Sequence, residues 1–284
     1  MIDHRALGPA DAPALLAFLD EHLDSSLFLA GNAETAGLED GGGPLHGRYV
    51  AALRDGTIVA IAAHYGNGFL MVQGDDGLEQ AVLMAIGRSG RPVHGIIGPL
   101  PLVERARVAL GMQERAARKD EPEILYSLRL DRLKLPALLS APGVTCRPPT
   151  LEETGDVLVD WQVSYAAEAL GAERTPALRD SVRDGLARSG PVGWILVDGG
   201  RPVSYSRFTV ETRGVVQVGN VFTPPALRGR GYGRAVVAGS LLDARTRGVT
   251  RSVLFTARTN VAAQRAYTSL GYEMVGLFGL VVFA

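Results

Sequence analysis

The chain has 284 residues, enough for two domains of ordinary size or one large one; 46% of them are hydrophobic and 21% charged, and 29 Lys and Arg stand against 30 Asp and Glu for a formal net charge of -1. That balance argues against a broad nucleic-acid or polybasic membrane surface. The single cysteine, Cys146, excludes an intramolecular disulfide and a thiolate metal cluster.

No apolar run reaches membrane-spanning length, and Met1-Ile-Asp-His-Arg opens with mixed charge and no long apolar stretch behind it. A soluble, cytoplasmic protein is expected, with neither nucleic acid nor membrane as a partner. The five histidines, His4, His22, His46, His64 and His94, lack metal-ligand spacing, so no metal is expected.

In chain order, Ala12 to Leu23 reads as a helix with Leu15, Leu16, Leu19 and Leu23 along one face. Strands follow at Arg48 to Leu53, Thr57 to His64 and Phe69 to Val72, the first two joined by the hairpin signal Asp55-Gly56. Then come a helix at Leu78 to Ile86, a strand at Val93 to Ile97, a helix at Val103 to Leu110 and a strand at Ile124 to Leu130. The stretch Leu135 to Thr150 carries Pro136, Pro142, Gly143, Pro148 and Pro149 and reads as a non-regular connection, which places a domain boundary at 140/141.

Beyond it the order repeats: helices at Val157 to Leu170 and Ala177 to Arg188, then strands at Trp194 to Val197, Pro202 to Thr209 and Val215 to Val221, with Asp198-Gly199-Gly200 as a turn. A helix ending near Arg247, a strand at Ser252 to Thr256, a helix after Asn260 and a strand near Leu277 to Phe283 complete the set. Both halves read as one α/β unit, a mixed, mostly antiparallel sheet with helices on both faces.

The densest chemistry lies between the strand at Val215 and the helix that follows. Pro224-Pro225 ends the strand, and Arg228-Gly229-Arg230-Gly231-Tyr232-Gly233-Arg234 opens the helix. Glycines let the backbone bring its N–H groups close to a phosphate, the helix adds its positive end, and the arginines add charge. Neither a P-loop nor a dinucleotide fingerprint fits, since Arg234-Ala235 follows the last glycine and the glycines are spaced Gly-x-Gly-x-Gly. A tight surface turn is the plain alternative.

Downstream, Asn260 is a favoured N-cap and Gly271 a favoured residue past a helix end, with Tyr267 near the face that Asn260 starts. Asn260 as a mere cap and Tyr267 as a core residue are the plain readings.

The Arg-x-x-Gly-x-Gly pattern of Arg228, Gly231 and Gly233, followed by Asn260, Tyr267 and Leu270-Gly271-Tyr272, resembles the GCN5-related N-acetyltransferases, the GNAT superfamily. The resemblance implies acetyl-coenzyme A as cosubstrate. Its diphosphate would lie on Arg228, Gly229, Arg230, Gly231, Tyr232, Gly233 and Arg234, its pantetheine arm at Asn260 and along the main chain of Val221, Phe222 and Thr223, and its sulfur near the Tyr267 hydroxyl as general acid. The run Val221 to Tyr232, with Asn32-Ala33-Glu34 and Gly37-Leu38, is similar to a bacterial group of predicted tandem-GNAT proteins. On this reading residues 141–284 form the coenzyme-binding domain.

Residues 1–140 form a degenerate, non-catalytic copy, because Gln73-Gly74-Asp75-Asp76-Gly77 puts two acids where the other loop has arginines, and like charges repel a diphosphate. The implied reaction is acetyl transfer to a primary amine, of a small molecule or a peptide, by direct attack in a ternary complex. The alternative is a non-catalytic acyl-CoA-binding or sensing protein.

An amine of pKa about 10.4 must shed a proton before it attacks. The strand carries Gln217 and Asn220 instead of a carboxylate, so Glu168, with Glu211 behind it, is the candidate base; a solvated surface role is the alternative for both, and the base stays unassigned. Trp161 and Tyr165, four apart on the helix of Glu168, either line an acceptor pocket or pack in the core, and Trp194 reads as core.

Overall fold

The computed structural model describes residues 1–155, 157–189 and 192–284, and the chain divides into two compact units, Met1–Leu125 with Val275–Ala284 and Tyr126–Met274. No helix among the described residues is long and apolar enough to cross a membrane.

The first unit contains β1 (Ile2–Ala6), α1 (Ala12–Glu21), α2 (Leu23–Ala36), β2 (Gly47–Arg54), β3 (Thr57–Tyr65), β4 (Phe69–Gly74), α3 (Leu78–Ser89), β5 (Gly95–Pro99), α4 (Leu100–Ala109) and β6 (Ala117–Lys119). β7 (Glu123–Arg129) carries the chain into the second unit, which holds β8 (Val144–Arg147), α5 (Leu151–Gly155), α6 (Val157–Leu170), α7 (Pro176–Ser189), β9 (Trp194–Asp198), β10 (Arg201–Thr212), β11 (Val215–Phe222), α8 (Tyr232–Thr246), β12 (Arg251–Ala257) and α9 (Val261–Leu270). The last strand, β13 (Glu273–Phe283), returns to the first unit from Val275 onward.

In the first unit the strands run β1-β2-β3-β4-β5-β13, antiparallel except for the parallel pair β4/β5, with β6 added on β13. Small and branched residues on one sheet face meet the apolar stripe of α3: Val50, Ala52, Ala62, Leu70, Val72 and Ile96 pack with Leu78, Ala81, Val82 and Ala85, and Val281 and Phe283 of β13 join them.

The second unit runs β7-β12-β11-β10-β9-β8, and its one parallel pair among the described registers is β11/β12. Leu158, Val159 and Leu186 of α6 and α7 pack on Ile195, Val197 and Tyr205. α8 buries Ala235, Val236, Val237, Ala238 and Leu241.

The division differs from the boundary expected at 140/141. The proline-bearing segment is not a linker: Val144-Thr145-Cys146 is β-prone, its prolines flank it without interrupting it, and it forms edge strand β8 against β9. The closing strand of each unit comes from the other half of the sequence, β7 beside β12 and β13 beside β5.

Candidate active site

The site begins as an irregularity in β11. Against β10 its register runs Arg207↔Gly219 and then Tyr205↔Phe222, so Asn220 and Val221 stand opposite Ser206 alone. Asn220 takes the left-handed conformation, φ +50°, that the extra residue demands. Its Nδ2 donates to Oε1 of Gln162 on α6 at 2.6 Å, and Gln162 is itself buried. On the other edge, the parallel register with β12 runs from Val215↔Arg251 to Gln217↔Val253 and ends there. The last turn of the strand therefore presents peptide groups outside that ladder, as a ligand lying between two diverging strands requires.

Beyond Phe222 the chain is pinned before it turns. Ser204 Oγ donates to Phe222 O at 3.0 Å and lies 2.8 Å from Thr223 Oγ1. A short turn over Pro225–Leu227 leads to Gly229 and Gly231, whose φ of +80° and +83° suit glycine, and α8 starts at Tyr232 with its first amides free of intrahelical partners. Gly233 answers a different need: a Cβ there would stand 3.3 Å from Thr223 Oγ1 and narrow the helix mouth.

Arg228 is held by the loop itself, Nε to Thr223 O at 3.0 Å, and its guanidinium lies 5.8 Å from the Phe222 ring centre. Arg234 Nη1 reaches Ser269 Oγ at 3.4 Å, and its buried Nε has no partner. The Tyr232 ring turns inward and its hydroxyl donates to Asp198 Oδ2, so only its main chain faces the loop mouth. That hydrogen bond holds the Tyr232 phenol above its ordinary pKa.

Asn260 caps α9 through Oδ1, which accepts from Ala263 N at 3.1 Å and leaves the amide nitrogen as a donor. Tyr267 lies on the same helix, 9% exposed, between Tyr126 at 6.5 Å and Tyr272 at 5.9 Å between ring centres. Burial pushes its phenol well above the ordinary value, and Tyr165 of α6 adds to the shift. Trp161 of α6 stands 6.1 Å from Phe222 between ring centres, at the end of the irregular strand.

The structure thus gathers Val221, Phe222, Thr223 and the Arg228 to Arg234 loop into one strand, turn and helix mouth. The two candidate bases are placed differently. Glu168 Oε2 accepts from Arg228 Nη2 at 2.6 Å, which commits the carboxylate to the loop arginine. Glu211 binds Arg247 at 2.9 Å, toward the C-terminal end of α8. Sequence reasoning passed over Gln162 and Ser204; their only signal was polarity inside apolar patterns.

The matching region of the first unit is built otherwise. β4 pairs with β3 through Ala60↔Gly74 without a register shift, and Asp75 and Glu79 are both bound by Arg105 and Asp76 by Arg54.

Residues 156–272 match the acetyltransferase (GNAT) family. No curated protein sequence matches the chain significantly. Among solved structures, the GCN5-related N-acetyltransferase of Sphaerobacter thermophilus is 20% identical with a TM-score of 0.58, over 99% of this chain and 94% of that one. A tandem GNAT protein from the clavulanic acid biosynthesis pathway is 13% identical with a TM-score of 0.56, over 99% and 98%. A Drosophila protein gives 13% and 0.67 over the same shares. At these identities the likeness speaks to fold. Residues 156–272 therefore carry the acetyltransferase (GNAT) family pattern, and the full length of the chain shares its fold with the tandem GNAT protein.

Proposed function

We propose that the second unit transfers the acetyl group of acetyl-CoA to a primary amine by direct attack, and that the first unit is a non-catalytic copy. The observation that carries this is the diverging strand pair ended by a bulge at Asn220 and followed by an arginine-bearing helix mouth. The coenzyme diphosphate fits the free amides of α8 with Arg228, Arg230 and Arg234 around them. The pantetheine arm fits the unpaired edge of β11, with the Asn260 amide as a further donor.

In the transfer, the amine nitrogen bonds to the carbonyl carbon, the C–S bond breaks, the amine loses a proton and the thiolate gains a hydrogen bond. Main-chain N–H groups at Val221 to Thr223 suit the carbonyl oxygen, where charge develops. Tyr267 is the donor for the thiolate: burial keeps its phenol protonated, so it acts by donating a hydrogen bond and not by full ionisation.

Gln162 and Asn220 bring neutral amides where a carboxylate base would stand, and Glu168 is occupied by Arg228. The amine proton is therefore assigned to water. The same neutrality favours a second reading, an acyl-CoA-binding protein that does not transfer.

Release of the coenzyme thiol over a panel of amines decides between them. Transfer should fall by about 100-fold in Tyr267→Phe, at the lower end of general acid catalysis, with acetyl-CoA affinity unchanged. Saturable acetyl-CoA binding with no thiol release from any amine refutes the enzyme reading.

A further inference from the structure

The β-sheet face under α6 holds an arginine, Arg207, that makes no ion pair among the described residues. Tyr205 of β10 packs against Leu158, Val159 and Leu186 of α6 and α7, and Arg207, two residues on, shares that face. The Arg207 guanidinium is close enough to act electrostatically on the Tyr205 hydroxyl. Its Nε is buried without a hydrogen bond, and among the described residues no carboxylate pairs with it.

The acids of α6 are committed elsewhere, Asp160 to Arg179 and Glu168 to Arg228. Gln162 and Asn220 face each other and bring no charge. Across the ladder from Arg207 stands Gly219, which has no side chain to cover it, and the next residue is the bulge at Asn220.

A guanidinium with a buried, unpaired N–H is costly unless something accepts from it. We propose that Arg207 receives the carboxylate of the acceptor, so that the acceptor is a small amino acid; this rests on the acetyltransferase reading above.

A planar fork of two N–H donors matches the two oxygens of a carboxylate. A phosphate dianion would ask for more positive charge than one arginine supplies. One strand spacing, about 5 Å, separates β10 from the bulged strand. That span suits an amine and a carboxylate a few bonds apart on one molecule, with the amine at the thioester and the carboxylate on Arg207.

The test uses the full chain with saturating acetyl-CoA and a panel of common L-amino acids alongside their carboxamides, read by thiol release. At least one acid should exceed its carboxamide in kcat/KM by about tenfold or more, the scale of a charged hydrogen bond. Arg207→Gln should abolish that preference while acetyl-CoA affinity is unchanged, and Arg207→Lys should keep part of it. Equal rates for acids and carboxamides, or an equal loss for both in Arg207→Gln, overturns the proposal.

Calorimetry of the same panel in N-acetylated form, on the CoA-loaded protein, reads the subsite without turnover. Tighter binding of acids by the wild type alone supports the subsite even where no amine is acetylated, a result that would sink the enzyme reading separately. Equal binding of acids and amides overturns it.

Discussion

Replacing Gly233 by Ala separates a coenzyme cradle from a tight surface turn. Gly233 lies in the first turn of α8 with ordinary helical backbone, and there alanine is favoured over glycine by about 1 kcal/mol. The added Cβ meets Thr223 Oγ1 at 3.3 Å, a contact that a small shift of the hydroxyl relieves. Folding stability should therefore change by less than about 1 kcal/mol in either direction, a melting shift within about 4 °C.

For a bound diphosphate the same methyl stands where the helix mouth must admit oxygen atoms. Losing one charge-assisted hydrogen bond costs about 1.5–3 kcal/mol, or roughly 10- to 150-fold in Kd. Titration calorimetry with acetyl-CoA and a thermal melt without it measure the two quantities. Unchanged affinity, or a large melting loss as the sole effect, would refute the cradle.

Glu168→Gln frees Arg228; an exposed pair contributes at most about 1 kcal/mol, so the melting temperature should barely move while acetyl-CoA binds up to about fivefold more tightly in calorimetry. Glu153 is held at a pKa of about 2, first by Arg147 and then by the amide of Thr150. A carboxyl depressed in the folded state stabilises at neutral pH and loses that contribution as pH falls from about 4.5 toward 2, so Glu153→Gln should lower stability by about 1 kcal/mol at pH 7, after solvent screening, and by nothing near pH 2. Melts across that range check it. A fragment of residues 141–284 lacks β7 beside β12 and carries an unpartnered β13; it should be insoluble or molten by circular dichroism, and a cooperative melt would contradict the strand assignment.

The glycine loop and the Asn260 helix were legible because their signals are local: glycine, proline and capping chemistry act within a few residues. The bulge was not, because Asn220 takes its conformation from the register of the opposite strand, where one serine faces two residues. Helix α2 escaped for another reason. It buries Ser26 and Asn32 along with its leucines and alanines, so it lacks the one-sided stripe that marks a surface helix. The pairing of Glu168 with Arg228 links residues 60 apart, and β13 takes its place by pairing with β5, far upstream. Such partners are chosen by tertiary packing.

That placement of β13 has a consequence for biosynthesis. Translation proceeds from the amino terminus, and domains ordinarily condense as they emerge. Here Val281 and Phe283 complete the apolar layer begun by Val50 and Ala52, so the amino-terminal unit waits, one edge open, until β13 has been made. Closing so long a loop is slow and leaves an aggregation-prone intermediate on the ribosome. Loss of Val275–Ala284 would leave the first unit without its closing strand while every residue of the second unit, Tyr126–Met274, had already been made.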